Sequence, residues 1–337
     1  MTFAARITGT GSAFPKKRMT NEDIVHLLAS LGVETSDQWI QERTGISERR
    51  IADLEDPTED NSSLGLAAAN QALEMAGKTP EDIDQIIFAT CTPDTKLPSS
   101  ACWLQHKIGA SNAWATDINA ACSGFLYGVS IADQFIQSGQ VKTSLVVGGE
   151  VLSSINNWED RSVCILFGDG AGAAVIEREQ EDCPHRILSS HLHSDGSLWE
   201  LLYVPAGGSR EVFTPERFHQ KRHLIRMNGK EVFKIAVRTL TKFALTALEA
   251  NHMTVEDLDW FVPHQANMRI IDAVVERLNI PVEKVIINVD LYGNTSSATV
   301  PTALDEAVRD GRITSGHTVL FDVFGAGLTY GSLLLRW

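Results

Sequence analysis

The feature that most restricts the fold of this chain is an internal repeat. Residues 72–84 and residues 247–259 share seven identical positions at a constant offset of 175. Both copies have the pattern of a helix, a turn and a hydrophobic strand. Because the offset is close to half of the 337 residues, we predict a duplicated α/β fold with two sheets sandwiched between helices. Chance similarity between two helix–turn–strand units is the alternative.

The predicted boundary between the two copies lies in a polar stretch, residues 177–185. We therefore divide the chain into an N-terminal half, residues 1–176, and a C-terminal half, residues 177–337. Residues 194–226 show little periodicity, which indicates an insertion or an extended loop.

The composition is that of a folded protein, with 43% hydrophobic and 21% charged residues. The net charge of −14 argues against a general binder of nucleic acids or anionic membranes. No run of about 18 apolar residues predicts a membrane span, and no N-terminal apolar run predicts a secretion signal. The five cysteines form no Cys-x-x-Cys pair. We therefore predict neither a disulfide framework nor a zinc site, and we expect reduced thiols in the cytoplasm.

Cys122 is the first candidate for chemistry. It lies among small residues in the segment 119–125, and an apolar helical pattern follows it. At a helix start, free backbone N–H groups and the helix dipole lower the pKa of a thiol, so this position predicts a nucleophilic thiolate at neutral pH. A buried cysteine that acts only as a small hydrophobic residue is the alternative.

Two residues of the second half are further candidates. His264 follows the strand-like residues 260–263, and open α/β sheets bind ligands at such strand ends. A helix-capping or core histidine is the alternative. Asn294 lies in a Gly-Asn turn, which alone indicates only a turn, and the small residues after it predict the start of another helix.

Three other patterns do not support a cofactor or a metal ion. The glycines at 9–14 and at 168–173 fail the dinucleotide-binding fingerprint, because the first ends in Phe14 and the second continues into a strand pattern. His191 and His193 would share one strand face, but no third ligand is recognisable. We therefore predict no bound metal ion and no NAD.

Positive charge is concentrated in residues 210–242, which contain nine Lys or Arg and three Glu, a net +6 in a chain of −14. A solvated helix face is one interpretation, and a docking surface for an acidic partner or a phosphate-bearing ligand is the other.

Earlier in the chain, Thr35 followed by Gln38 predicts a capping box for a short helix that ends at Gly45. Trp39 and Arg43 would share a face of that helix, which suits ordinary packing or stacking on a base.

Taken in order along the chain, several motifs resemble β-ketoacyl-acyl carrier protein synthase III. They are the Cys122 segment, Pro-His-Gln-Ala-Asn at 263–267, Gly-Asn-Thr-Ser at 293–296 and Phe-Gly-Ala-Gly at 324–327. Each motif is weak alone, but the ordered set is specific and covers nearly the whole chain. The resemblance implies a thiolase-like fold, a duplicated αβαβα layered sandwich, and a cytoplasmic, usually homodimeric acyltransferase of lipid metabolism.

The resemblance also implies the reaction. Cys122 would take the acyl group of an acyl-CoA, malonyl-acyl carrier protein would lose CO2, and the resulting carbanion would attack the acyl group to give a 3-oxoacyl-carrier protein and start fatty-acid synthesis. His264 Nε2–H and Asn294 would donate hydrogen bonds to the enolate oxygen, and the backbone N–H groups of Cys122 and Ala326 would form the oxyanion hole. No cofactor is implied, since the CoA thioester is a substrate.

The same resemblance assigns binding residues. Trp39, Arg43 and Arg161 correspond to the family's CoA-binding residues. Lys230, Lys234 and Arg269 are where an acidic carrier protein would dock, and Leu97 is where a partner subunit would close the acyl pocket.

Three departures from the family pattern affect these assignments. Ala326 replaces the middle Gly of the usual Gly-Gly-Gly loop, and its N–H serves the oxyanion role as long as its φ is not positive. Tyr330 stands where a Trp is common, and Leu97 is smaller than the usual aromatic, which would admit longer or branched primers. The alternatives are a specialised relative that primes a polyketide or quinolone pathway or acylates an oxygen or nitrogen, and, more remotely, a Cys-His-Asn hydrolase.

Overall fold

Strands and helices alternate along most of the chain in the computed structural model, which describes residues 3–337. The strands are β1 (Phe3–Ala13), β2 (Lys17–Thr20), β3 (Glu48–Ile51), β4 (Gln85–Ala89), β5 (Trp114–Ile118), β6 (Thr143–Glu150), β7 (Gly170–Gln180), β8 (Arg186–Ser194), β9 (Leu202–Tyr203), β10 (Arg226–Met227), β11 (Trp260–Pro263), β12 (Thr318–Gly325) and β13 (Thr329–Arg336). The α-helices are α1 (Asn21–Ser30), α2 (Asp37–Thr44), α3 (Asn61–Ala76), α4 (Ser100–Ile108), α5 (Gly124–Gln137), α6 (Pro215–His219), α7 (Gly229–Ala250), α8 (Met268–Leu278), α9 (Val289–Tyr292) and α10 (Thr299–Arg309).

The two large sheets have the same strand order, which confirms the predicted duplication. The first runs β1-β7-β6-β4-β5 and the second runs β8-β13-β12-β11. A parallel bridge between Phe261 and Val285 places a short segment beside β11, where the first sheet has β5. Gln85 of β4 and Trp260 of β11 are 175 residues apart, the offset of the sequence repeat. The repeat is therefore two copies of one α/β unit and not a chance similarity.

The helices form three layers around the two sheets. α3 and α4 pack on the outer face of the first sheet, and α7 and α8 pack on the outer face of the second. α5 and α10 lie between the sheets, where Leu126 and Val129 share one buried cluster with Val300 and Leu304. This is the αβαβα sandwich predicted from the sequence.

The identical residues of the repeat stabilise the turn that leads into each central strand. In the first copy, the backbone N–H of Thr79 donates to the carboxylate of Asp82 at 2.9 Å. In the second copy, Thr254 donates to Asp257 at 2.8 Å. Both pairs form a capping box around a short 3₁₀ helix, and this local chemistry explains why these positions are the same in both halves.

The change from one sheet to the other lies a few residues after the predicted boundary at 176/177. β7 continues in the first sheet to Gln180, and β8 begins the second sheet at Arg186. The boundary at 176/177 thus falls inside a strand, because the polar residues at the end of β7 still pair with β1. The crossing itself lies within the polar stretch 177–185.

Residues 194–226 are mostly loop, as the lack of periodicity predicted. They contain a 3₁₀ helix at Gly196–Leu201, the short strand β9 and the one-turn helix α6. Val212, Phe213 and Phe218 of this segment are exposed. Within residues 3–337, no helix has both the length and the apolar character needed to cross a membrane.

Candidate active site

The Cys122 turn lies between the two halves of the chain. Cys122 is the middle residue of a 3₁₀ turn, Ala121–Ser123, that leads directly into α5. Ala121 has a left-handed φ of 46°, a conformation that is strained for a residue with a side chain. A Cβ at Gly325 would lie 2.8 Å from the backbone nitrogen of Cys122, so the Phe-Gly-Ala-Gly loop can approach the turn only because this position is Gly.

The Cys122 thiol is not the ready thiolate that its position at a helix start predicted. Burial raises its pKa to about 11, and the nearby Glu150 carboxylate adds to this effect. Hydrogen bonds from the Ser296 hydroxyl and from the backbone N–H groups of Cys122 and Ala326 favour the thiolate but do not outweigh burial. The prediction was wrong because the loss of water around the sulfur exceeds the effect of the helix start.

His264 follows the last residue of β11, at the strand end where the sequence placed it. Its ring is buried, and burial lowers the pKa of the imidazole to about 3, so the ring is neutral at pH 7. Nδ1 lies 2.7 Å from the hydroxyl oxygen of Thr299, and that hydroxyl donates to the carbonyl oxygen of Ser296 at 2.9 Å. Nδ1 therefore carries the ring hydrogen, and Nε2 is left as a proton acceptor. This tautomer differs from the Nε2–H donor that the resemblance implied.

Asn294 is held by both its backbone and its side chain. Its N–H donates to the carbonyl oxygen of Leu166 at 2.8 Å, and its own carbonyl accepts from Gly168 at 3.1 Å. The side-chain oxygen accepts the backbone N–H of Ser296 at 2.8 Å. Because the oxygen is engaged in this way, the side-chain NH2 group is the part of Asn294 that is available to a ligand. The residues after it form the predicted helix, α10.

One cavity of about 750 Å³ brings these residues together. Cys122, from the first half, lines it together with His264 and Asn294 from the second half. Cys122 is more than 140 residues from His264 and from Asn294 in sequence, and only the packing of the two halves brings it to the same space as those two residues. The arrangement combines a thiol, a neutral imidazole that can accept a proton and an amide that can donate hydrogen bonds.

The residues assigned to CoA line the same cavity. The guanidinium groups of Arg43 and Arg161 lie 4.5 Å and 4.6 Å from the Trp39 ring centre. All three side chains line the cavity that contains Cys122.

The helix α2 that carries Trp39 ends at Gly45 as predicted, but Ser36 is its N-cap and not Thr35. The capping-box prediction was wrong because Ser36 accepts the N–H of Trp39.

The residues assigned to carrier-protein docking also border this cavity, at α7 and α8. Lys230, Lys234 and Arg269 all line it. Lys234 pairs with Glu231 at 2.8 Å. Elsewhere in the basic segment 210–242, Arg222 pairs with Glu211 at 2.5 Å. Part of the positive charge of this segment is therefore neutralised locally.

A second cavity of about 400 Å³ also reaches Cys122. Phe167 and Leu202 line both cavities, and Ala326 lines the second one. Its other walls are mainly apolar and include Leu152 and Ile225. The φ of Ala326 is not positive, so the replacement of Gly by Ala is compatible with its backbone.

Leu97, assigned by the resemblance to the gate of the acyl pocket, does not lie at the site within this chain. Its side chain is 89% exposed and lines neither cavity. Tyr330, the second departure from the family pattern, packs between the rings of His193, Phe243 and Phe324 behind the site.

Sequence reasoning missed three residues that contact the site: Glu150, Ser296 and Thr299. Ser296 contacts Asn294, two positions before it, but Glu150 and Thr299 make their contacts through tertiary packing, as Glu150 does with Ser296, 146 positions away. No local pattern in the sequence signals such a contact.

The patterns set aside in the sequence have structural roles. The glycines at 9–14 belong to β1 and the end of that strand, and those at 168–173 lead into β7. The imidazole of His191 contacts the Ser189 hydroxyl at 3.1 Å. Within residues 3–337, no cluster of three or more His, Cys, Asp and Glu side chains is arranged to hold a metal ion.

Two family models match the chain: "3-Oxoacyl-[acyl-carrier-protein (ACP)] synthase III" over residues 116–196 and its C-terminal counterpart over residues 248–337. The chain is also 49% identical, over 334 residues, to the beta-ketoacyl-[acyl-carrier-protein] synthase III of Caldanaerobacter subterraneus subsp. tengcongensis, an alignment that covers 99% of this chain and 98% of the relative. The chain belongs to the 3-oxoacyl-[acyl-carrier-protein] synthase III family. The resemblance found in the sequence is confirmed.

Solved structures of synthase III enzymes have the same fold. That of 3-oxoacyl-[acyl-carrier-protein] synthase III from Aquifex aeolicus is 44% identical, with a TM-score of 0.88 and coverage of 99% of this chain and 100% of that one. The priming beta-ketosynthase of the R1128 polyketide biosynthetic pathway is 37% identical, with a TM-score of 0.89 and coverage of 99% and 97%. The fold is therefore shared between a synthase III and a priming enzyme of a polyketide pathway.

Proposed function

We propose that this synthase III family member condenses an acyl-CoA with malonyl-acyl carrier protein, releases CO2 and CoA, and so starts fatty-acid synthesis. The observation that supports this most directly is the cavity lined by Cys122, His264 and Asn294. A thiol forms the acyl-enzyme, and the other two side chains supply the proton acceptor and the hydrogen-bond donors that the two steps need. The reaction needs no cofactor, because the thioester is already activated.

In the first step, the acyl group moves from CoA to Cys122. At pH 7 the thiol and the imidazole are both neutral, so attack requires His264 Nε2 to take the thiol proton as the sulfur bonds to the thioester carbon. The negative oxygen that results accepts hydrogen bonds from the N–H groups of Cys122 and Ala326, each contributing about 3 to 4 kcal/mol in comparable sites. When the tetrahedral intermediate collapses, His264 returns the proton to the departing CoA sulfur.

In the second step, malonyl-acyl carrier protein loses CO2. The electron pair of the broken C–C bond moves toward the thioester oxygen, and the NH2 group of Asn294 donates a hydrogen bond to that oxygen. Nε2 of His264 donates the second one after the ring exchanges its hydrogen with solvent: Nδ1 releases a proton, Nε2 takes one up, and the Thr299 hydroxyl turns to donate to Nδ1, so the ring stays neutral. The carbanion then attacks the acyl group on Cys122, and the released sulfur takes a proton from solvent.

The CoA arm would lie along the larger cavity. Both guanidinium groups lie against the Trp39 ring. An adenine ring can replace one of the two guanidinium groups. A planar base can stack on the indole ring on one face and on the remaining guanidinium on the other, in the way that a guanidinium stacks on an indole. The phosphates would then pair with the displaced guanidinium group of Arg43 or Arg161.

The carrier protein would dock at the rim formed by α7 and α8. We expect Lys230→Glu and Lys234→Glu to raise the KM for malonyl-acyl carrier protein about tenfold, because a like charge opposes an acidic partner at the contact. The KM for acyl-CoA should change much less. Steady-state kinetics with each substrate varied in turn measures both values.

Lys142→Glu is the matched control for these variants. Lys142 is exposed and lines neither cavity, so its reversal changes the net charge equally without touching the rim. Equal effects of the rim variants on both substrates, or an equal effect of Lys142→Glu, would show that this rim is not the docking surface.

The acyl chain would occupy the second cavity, with Leu97 from a second copy of the chain closing it in a homodimer. We expect Leu97→Trp to slow acyl transfer from octanoyl-CoA about tenfold and to spare acetyl-CoA, because only the longer chain reaches the gate. Leu54→Trp, at another exposed leucine, is the control. A monomer by sedimentation velocity, or equal slowing with both thioesters, would contradict the gate.

A specialised role in a polyketide pathway is the second candidate. The 37% identity to the R1128 priming enzyme supports it, and so does the size of the second cavity, which exceeds what an acetyl group fills. Cys122, His264 and Asn294 serve either pathway, since the chemistry is the same and only the primer differs.

A panel of acyl-CoA thioesters offered with malonyl-acyl carrier protein tests the proposed function. The expected products are 3-oxoacyl-carrier proteins, formed with one CO2 and one CoA for each turnover, and short primers should be the best substrates in fatty-acid synthesis. A preference for long or aromatic primers would favour the second candidate. Hydrolysis of the thioester without condensation would contradict both.

A further inference from the structure

One wall of the second cavity comes from residues 199–204, a part of the chain to which neither the resemblance nor the mechanism above gives a role. Trp199 is the largest side chain of this wall. It belongs to the 3₁₀ helix Gly196–Leu201, and it lines the second cavity but not the larger one. Trp199 can therefore contact an acyl group on Cys122 without contacting the CoA arm.

The Trp199 ring lies between the second cavity and an exposed cation. The guanidinium group of Arg210, an exposed residue, lies 4.3 Å from the ring centre. The Tyr203 ring meets the indole edge-on, with 5.0 Å between the ring centres. Because the indole lines the cavity and also carries an exposed cation on its face, it forms part of the outer wall of the cavity.

Arg210 is available to hold the ring in this position. Among the ion pairs of residues 3–337, none includes Arg210. Its neighbour Glu211 pairs with Arg222 instead. A guanidinium over an indole is attracted to the electrons of the ring face, and this attraction favours one orientation of the ring. Arg210 lines neither cavity, so it acts on the second one only through Trp199.

The backbone ties this wall to the loop of the oxyanion hole. Asp195, which precedes the 3₁₀ helix, exchanges two backbone hydrogen bonds with Leu328, at 2.8 Å and 2.9 Å. Leu328 comes two residues after Ala326, whose N–H group would receive the acyl oxygen. At the other end of the helix, the carbonyl oxygen of Leu201 accepts the N–H of Asn228 at 2.8 Å. Hydrogen bonds therefore fix the distance from the reacting carbon to this wall.

The space in front of Trp199 exceeds the needs of a short acyl group. The second cavity has a volume of about 400 Å³, whereas a cavity of about 150 Å³ holds a benzene ring in another protein. Its other walls are mainly apolar, so each added CH2 group of an acyl chain gains by leaving water. An acetyl group on Cys122 fills a small part of this space, and only a longer chain extends to the indole.

We propose that Trp199 determines the length of the acyl group that the enzyme accepts from acyl-CoA, and that Arg210 is the positioning residue for its ring. The indole is the surface against which a straight acyl chain ends. Shorter chains fit in front of the ring, and longer chains must displace it against the attraction of Arg210. This wall belongs to the same chain as Cys122, unlike the gate assigned to Leu97. The inference rests on the proposed function, because it takes the second cavity as the place of the acyl chain.

The test is the rate at which acyl-CoA thioesters of increasing length acylate Cys122, read by mass spectrometry without carrier protein. In Trp199→Ala, the cavity continues past the position of the ring. We expect the ratio of the dodecanoyl-CoA rate to the acetyl-CoA rate to rise about tenfold, while the acetyl-CoA rate itself changes by less than about twofold. Trp199→Phe, which keeps an aromatic ring, should give a smaller rise.

Variants of Arg210 test the positioning role without removing the ring. We expect Arg210→Ala to raise the same ratio about threefold, because the ring then moves aside more easily. Arg210→Lys, which keeps a cation, should stay closer to wild type. In a Trp199→Ala background, Arg210→Ala should add nothing. A residue that only stabilises the fold would lower the melting temperature and leave the ratio unchanged.

Phe218→Ala and Arg277→Ala are the matched controls. Phe218 is an exposed aromatic residue of the same loop region, and Arg277 is an exposed residue of α8. Neither side chain lines the larger or the second cavity. Both variants should keep the wild-type ratio.

An unchanged ratio in Trp199→Ala, or an equal rise in Phe218→Ala, would overturn the proposal. If Trp199→Ala does not fold, the ratio in Arg210→Ala decides, and a value equal to that of wild type overturns it. Either result leaves the proposed condensation standing, because acetyl-CoA would still acylate Cys122. If no thioester acylates the wild-type protein, the proposed function itself is contradicted, and the inference about acyl length fails with it.

Discussion

Replacing Cys122 with alanine is expected to abolish the acyl-enzyme and to lower the condensation rate by at least about 10³-fold, as loss of a nucleophile does in other covalent enzymes. Cys122 is the thiol that lines both cavities and shares one of them with His264 and Asn294. Intact-protein mass spectrometry after mixing with acyl-CoA shows the acyl-enzyme directly, and release of CO2 reports condensation.

Cys91→Ala is the matched control for this variant. Cys91 lines the second cavity but not the larger one, so it has no access to His264 as a proton acceptor. This variant should retain acylation near the wild-type level. If acylation survives Cys122→Ala and disappears with Cys91→Ala, then Cys91 is the nucleophile and the assignment to Cys122 is wrong.

Substitutions of His264 and Asn294 are expected to separate the two steps. Asn294→Ala removes a donor to the enolate oxygen, so it should lower decarboxylation and condensation by about 10²- to 10³-fold and leave acyl transfer nearly unchanged. His264→Ala should slow both steps, because acyl transfer also requires the removal of the Cys122 proton. Rapid-quench measurement of acyl-enzyme formation and CO2 release distinguishes the steps.

The pH dependence of the His264→Ala variant gives a further check on this assignment. Without the imidazole, attack depends on the small fraction of Cys122 that ionises by itself, and its pKa is about 11. Acyl transfer in the variant should therefore rise about tenfold for each pH unit below that value, whereas wild type should show a weaker dependence. Equal pH dependence in both enzymes would mean that His264 does not accept the proton.

The duplicated fold was predictable because its signals are local. The Thr79–Asp82 and Thr254–Asp257 turns use the same side-chain hydrogen bonds, so the same residues appear twice at one offset. A helix start after Cys122 and a strand end before His264 are likewise local patterns.

The electrostatics of the site were not predictable from local pattern. Cys122 lies at the expected turn, but its pKa depends on burial between the two halves of the chain. The sequence around Cys122 contains no sign of that burial. Thr299, which sets the His264 tautomer, is 35 positions from that residue. Glu150 and Ser296 are farther apart still, and they come into contact only when the two halves pack together.

The most direct test of the central claim is a chase of isolated acyl-enzyme. Wild-type protein is acylated with acyl-CoA, freed of unbound CoA compounds, and mixed with malonyl-acyl carrier protein while intact-protein mass spectrometry follows the acyl group. We expect the mass increment on Cys122 to disappear at the rate at which 3-oxoacyl-carrier protein and CO2 appear, one for one. Product that forms while the increment stays, or loss of the increment as free acid, would contradict it.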